Sequence, residues 1–123
     1  MAKTQSGWDA AFYENAAGEK PVKDFLEDLE ATDPDQADTV YRKLVIFAER
    51  GWDDSVKSGL LKHVDGKIFE IKVKGEQARV LGFGWRKLFI AAAAEIKKTD
   101  DLDPSTVRAA EERRDDWIKR NGA

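Results

Sequence analysis

Ile68-Phe69-Glu70-Ile71-Lys72-Val73-Lys74-Gly75-Glu76-Gln77-Ala78-Arg79-Val80-Leu81-Gly82-Phe83-Gly84 is the stretch on which the fold turns. In its first half Phe69, Ile71 and Val73 alternate with Glu70, Lys72 and Lys74. A period of two marks a half-buried strand. Gly75-Glu76 fits a two-residue hairpin turn with glycine at the first central position, so the partner strand runs from Gln77 to Gly84. In this register Lys74 faces Gln77, and Lys72 faces Arg79 on the side that also carries Glu70. Like charges set opposite each other across strands cost roughly 0.2–1 kcal/mol. Two readings of the pair stay open: a face that holds an anion, or a solvated face that Glu70 neutralises.

Downstream, Gly84-Trp85-Arg86 turns the chain into a further strand, Lys87 to Ala94. Its run Ala91-Ala92-Ala93-Ala94 is unusual, because alanine is a poor strand former. Close packing of a helix on the sheet accounts for it, as would a shallow floor left open for a ligand. Asp103-Pro104 then starts a helix whose stripe is Val107, Ala110, Arg114, Trp117 and Ile118.

Upstream, Trp8 to Tyr13 reads as a short first strand with Trp8, Ala10 and Phe12 on one side. Pro21 suits the first position of a helix with Val22, Phe25, Leu26 and Leu29 on its buried face. Asp33-Pro34-Asp35-Gln36 starts a second helix, with Asp33 as N-cap and Gln36 completing a capping box. Ala37, Val40, Tyr41, Leu44 and Ala48 form its stripe, and Gly51 is its stop. The expected architecture is α+β, in the order β-α-α-β-β-β-α. It has an antiparallel sheet of three to four strands, an N-terminal helical hairpin and a C-terminal helix, in one domain over residues 1–123.

The chain has 123 residues, 41% hydrophobic and 37% charged, which suits one core rather than a disordered chain. No apolar run approaches the roughly 20 residues that cross a bilayer, and no signal-peptide pattern opens the sequence, so a soluble, cytoplasmic protein is expected. With no cysteine there is no disulfide and no thiolate metal site, and a lone histidine offers no His–His pair, so no metal or cofactor is expected. The formal net charge of -3 hides a strong division along the chain. Residues 1–56 carry 6 Lys/Arg against 13 Asp/Glu, residues 57–98 carry 10 against 4, and residues 99–123 carry 5 against 7. A basic middle between acidic flanks points to a face built for an anion, or to basic edge strands that resist aggregation.

The ordered segments resemble the RelE/ParE superfamily of toxin–antitoxin toxins, in particular its HigB-like, phage-derived branch. Pro21-Val22-Lys23-Asp24-Phe25-Leu26 with Leu29 is similar to the family's first helix. Ile68-Phe69-Glu70-Ile71-Lys72 stands where the family has a hydrophobic-aromatic-Glu-hydrophobic-Arg strand, and Arg79-Val80-Leu81 with Phe83 resembles the strand that follows. Lys97-Lys98-Thr99, with Pro104 opening a helix, is similar to the lysine-rich tail. The resemblance covers residues 8–119. It implies a ribosome-dependent, metal-independent endoribonuclease that cuts mRNA and is held inactive by a cognate antitoxin protein. It also implies that Arg79 and Lys72 stabilise the phosphate, and that Lys97 or Lys98 transfers a proton or touches substrate. Lys72 replaces the usual arginine, and Ala93-Ala94-Glu95 replaces a His-Gly-Phe-like segment. The rival reading on the same scaffold is a non-catalytic, ParE-like inhibitor of a host protein.

Lys74, Trp85 and Arg86 complete the candidate RNA contacts, since an aromatic and a cation at a turn tip can stack on and grip a nucleotide. A packed turn tryptophan explains Trp85 as well. His63 offers an imidazole as a candidate base, or is a strand-edge residue. Glu70 is a possible base or a partner for Lys72 or Arg79. Glu111, Glu112, Asp115 and Asp116, mixed with Arg113 and Arg114, read as a solvated helix face.

Overall fold

The computed structural model describes residues 6–73, 75 and 77–123. Among them run β1 (Asp9–Phe12), α1 (Pro21–Thr32), α2 (Pro34–Arg50), α3 (Trp52–Ser58), β2 (Leu61–Asp65), β3 (Ile68–Ile71), β4 (Ala78–Trp85), β5 (Leu88–Ile96) and α4 (Pro104–Asn121). The protein is α+β. Its strands form one sheet in the order β1-β5-β4-β3-β2.

The β3–β4 hairpin has the register that Gly75-Glu76 predicts: Phe69 faces Gly82, Glu70 faces Leu81 and Ile71 faces Val80. Three features differ from the expected order. The sheet has five strands rather than three to four, and it is mixed rather than antiparallel, because β1 lies parallel to β5. A short helix, α3, and an edge strand, β2, precede the hairpin. Seven residues of α3 are too few to display a helical period. In β2, Leu61 is the sole buried residue, so no alternation is visible.

The sheet separates two cores. Val22, Leu26 and Leu29 of α1, with Ala37, Val40, Leu44 and Phe47 of α2, pack on Ile71, Val80, Phe89 and Ala91. On the opposite face Ala110 of α4 meets Tyr13, Ile68, Leu81, Phe83, Ile90, Ala92 and Ala93. The alanine run is explained by a β-bulge: Leu81 faces Ala93 while Gly82 faces Ala91, leaving Ala92 without a partner on β4. The bulge turns both Ala92 and Ala93 toward α4, and Arg113 Nη1 donates to the freed Ala92 carbonyl at 2.7 Å. Gly82 is required there, since a Cβ would come within 2.2 Å of the Ile90 carbonyl oxygen.

Asp33 ends α1 and caps α2. Its N–H donates to the Leu29 carbonyl at 2.6 Å, and its carboxylate accepts from the Gln36 N–H at 3.2 Å. With the Asp33 N–H already used, Gln36 closes the box differently from the expected pattern. Its Nε2 donates to Asp33 Oδ2 at 3.1 Å, and its Oε1 turns toward the sheet. Among the described residues no helix is long and apolar enough to cross a membrane.

Candidate functional site

Three of the four candidate catalytic residues meet in one place. Lys72, Arg79 and Lys97 line an open cleft of about 410 Å³ at the start of β4, together with Glu70, Gly59, Val73, Gly75 and Ala78. The register explains the meeting, because Lys72 follows β3 and Lys97 follows β5, the two strands that flank β4. Two backbone bonds fix these ends: Lys72 N–H to the Leu60 carbonyl at 2.7 Å, and Lys97 N–H to the Gln77 carbonyl at 2.6 Å.

Arg79 is held on three sides. Its Nε donates to Glu70 Oε2 at 2.8 Å, Nη2 to Glu70 Oε1 at 3.2 Å, and Nη1 to the Asp100 carbonyl at 3.1 Å. Glu70 is buried and lies diagonally across the hairpin from Arg79, whose own side chain is 11% exposed. The hydrogen-bonded carboxylate raises the Arg79 pKa further above its ordinary value, and burial opposes it less strongly. A fork-to-fork pair of this kind fixes the guanidinium plane. Glu95 faces Arg79 from β5. Lys97 Nζ sits 3.0 Å from Asp100 Oδ1, and this hydrogen bond holds the Asp100 carboxyl below the usual carboxylate range. Asp100 therefore ties Lys97 through its side chain to Arg79 through its backbone. Among the described residues Lys72 has no ion-pair partner, and its side chain is exposed at the cleft.

Such an arrangement can hold an anion. Arg79 supplies orientation, with three of its five N–H donors committed among the described residues, and Lys72 supplies an unmatched charge. Glu70 is bound to Arg79, as the reading of a structural partner expects.

The remaining candidates lie elsewhere. Lys98 lines a neighbouring hollow of about 700 Å³ with Glu95, Thr99, Asp101 and Asp103. Trp85 and Arg86 stand at the opposite end of β4 and face the C-terminal end of α4. Trp85 Nε1 donates to the Gly122 carbonyl at 2.8 Å, its ring meets Trp117 edge-on at 5.4 Å, and Arg86 lies 4.5 Å over it. Arg86 also donates to the Asn121 and Ala123 carbonyls at 3.2 and 3.3 Å. Lys74 lies outside the described residues. His63 contacts the Gly66 carbonyl at 2.9 Å and stacks edge-on against Phe69 at 5.1 Å, outside the cleft.

Sequence reasoning missed Gln36, which stands behind the cleft. Its Oε1 accepts the N–H groups of Gln77 and Ala78 at 2.8 and 2.6 Å, and so anchors the residue whose carbonyl holds Lys97. The capping-box pattern concealed this second role. Among the described residues no cluster of acidic or histidine side chains is arranged to hold a metal ion. No protein-family model matches the chain, and no curated protein matches it.

Proposed function

We propose that the protein is a toxin of a type II toxin–antitoxin module, of the RelE/ParE kind and closest in character to its HigB-like branch. In this reading it cuts mRNA on the ribosome. One observation supports the reading above all others: Lys72, Arg79 and Lys97, each at the end of a different strand, stand around a single open cleft. A phosphodiester docks against Lys72 and the uncommitted donors of Arg79. The ribose 2′-oxygen attacks phosphorus, its proton leaves to a base, and the bond to the departing 5′-oxygen breaks as that oxygen gains a proton. Lys97 or Lys98 serves the proton transfers or grips the substrate. Glu70 and the Asp100 carbonyl hold Arg79 in the orientation that the pentavalent phosphorus needs. A cognate antitoxin protein keeps the toxin inactive.

Inducing the protein and mapping messenger ends tests the reading. Cuts at codons in the ribosomal A site are expected, and Arg79→Ala should end growth inhibition while the circular dichroism spectrum stays folded. A fully toxic Arg79→Ala protein removes that residue from the site. One observation favours the rival reading, a ParE-like inhibitor of a host protein. Arg79 already has its charge matched by Glu70 and faces Glu95 as well, which weakens its pull on a second anion. Blocked growth with intact transcripts would decide for the rival.

A further inference from the structure

Part of the positive charge of residues 57–98 surrounds the cleft just described, and another part, Arg86 and Lys87, occupies the β4–β5 turn at the opposite end of β4. This turn is locally disfavoured. Both residues have positive φ, 47° and 64°, in a two-residue hairpin position where Asn-Gly is the favoured pair. Side chains other than glycine are rarely held in this conformation, and such positions cluster at functional sites. Arg86 is accounted for by its bonds to the end of α4. The Lys87 carbonyl accepts the Asp9 N–H at 3.1 Å, whereas its side chain has no hydrogen bond or ion pair among the described residues; its Nζ lies 5.1 Å over the Trp8 ring.

Beside the turn opens a second cleft, of about 440 Å³, lined by Trp8, Trp52, Asp53, Gly84, Trp85 and the two cations. That is within the range of small-molecule sites. The Trp8 and Trp52 rings are 5.3 Å apart and inclined at 36°. Trp52 lies across Gly84, where an added Cβ would come to 3.0 Å from its Cζ3 atom. Two half-buried indoles, an exposed lysine and one carboxylate therefore line a small open volume.

We infer that this cleft is a nucleotide-binding site, separate from the cleft of Lys72, Arg79 and Lys97, which takes a base against the indoles and a phosphate on Lys87. Stacking on aromatic rings accepts any base. Asp53 adds selectivity, because a carboxylate only accepts hydrogen bonds and matches the adjacent N–H donors on the pairing edge of guanine. The choice of ligand rests on the RNA reading above, but the site does not depend on cleavage. On a strand about 3.3 Å is covered per residue, so the two clefts stand roughly 20 Å apart along β4. The second cleft would hold a base of the same strand beyond the one being cut.

Titration of the full chain with guanosine 5′-monophosphate, in the absence of ribosomes, tests the site. The indole N–H signals of Trp8 and Trp52 should shift more than that of Trp117, and uridine 5′-monophosphate should bind more weakly. Lys87→Glu should weaken binding about tenfold, the loss expected for a charged contact. Arg42→Glu, the same charge change on an exposed face of α2, should leave it unchanged. Absence of indole shifts at millimolar nucleotide, or equal losses in the two variants, overturns the inference. Nucleotide binding by a protein that leaves transcripts intact sustains this site and refutes the nuclease reading. Cleavage without nucleotide binding does the reverse.

Discussion

The side-chain oxygen of Gln36 lies 2.6 Å from the backbone nitrogen of Ala78, 42 positions later in the chain. It thereby supplies an acceptor to a buried N–H at the point where β4 begins. Gln36→Leu removes the acceptor from Gln77 and Ala78 together. Leaving a buried donor unpaired costs about 1–3 kcal/mol. Urea unfolding should show a loss of about 2–4 kcal/mol, with amide exchange accelerated first at Gln77, Ala78 and Lys97. A variant within about 0.5 kcal/mol of the wild type would show that the bond adds nothing.

The Glu70–Arg79 pair is expected to behave as a buried one, since its side chains are 4% and 11% exposed. Removing one partner strands a charge, so Glu70→Ala and Arg79→Ala should each cost about 3 kcal/mol. The double variant should cost clearly less than the two together. Additive losses in a double-mutant cycle would place the stabilisation elsewhere.

Stability should fall on both sides of a broad neutral plateau. Arg120 first, and the Tyr13 hydroxyl at 2.5 Å second, hold the Asp116 carboxyl below its usual range; Lys97 does the same for Asp100, and the Ser105 N–H for Asp103. Carboxylates depressed in the folded state add stability above their unfolded pKa, about 3.9, and lose it as pH falls through the folded values. Burial raises the Tyr13 and Tyr41 phenols. Their contribution is complete below about pH 10 and is lost as pH rises through the folded values. A Tm profile checks this: Asp116→Asn should flatten the acid limb and Tyr13→Phe the alkaline limb.

Lys87→Gly should stabilise the protein by about 1 kcal/mol, because glycine adopts the turn's φ of 64° without the cost a side chain incurs. The same change should weaken guanosine monophosphate binding. A variant no more stable than the wild type would mean that the turn is not strained.

Much of the fold was legible because its signals are local. The pairing of Phe69 with Gly82 follows from one glycine turn, and the starts of α2 and α4 follow from Asp33-Pro34 and Asp103-Pro104. The edge strand Leu61–Asp65 was not legible, since it buries too little to impose alternation. Nor was the parallel placement of β1 beside β5, which no nearby residue specifies. Of the first cleft, the register alone brings Lys72 and Arg79 together. The diagonal grip of Glu70 on Arg79 depends on two side chains choosing one of several open partners. Gln36 was concealed by a sufficient local role, and the cleft of Trp8 and Trp52 joins segments that are far apart in sequence.

That parallel pair has a consequence for how the protein comes into being. Asp9 to Phe12 find their partners at Leu88 to Ala91, 79 positions away. Contacts of such sequence separation form late, because a long loop has to close before they reward it. During synthesis Trp8 and Phe12 can meet Phe47 and Tyr41 of the second helix early, but the backbone of the first strand stays unpaired until the fifth strand emerges. The approach of Lys87 to Trp8 belongs to the same late event. A nascent or truncated chain that stops short of the fifth strand therefore lacks the pairing that sets the Arg86-Lys87 turn beside Trp8, and only the finished protein assembles the tryptophan cleft.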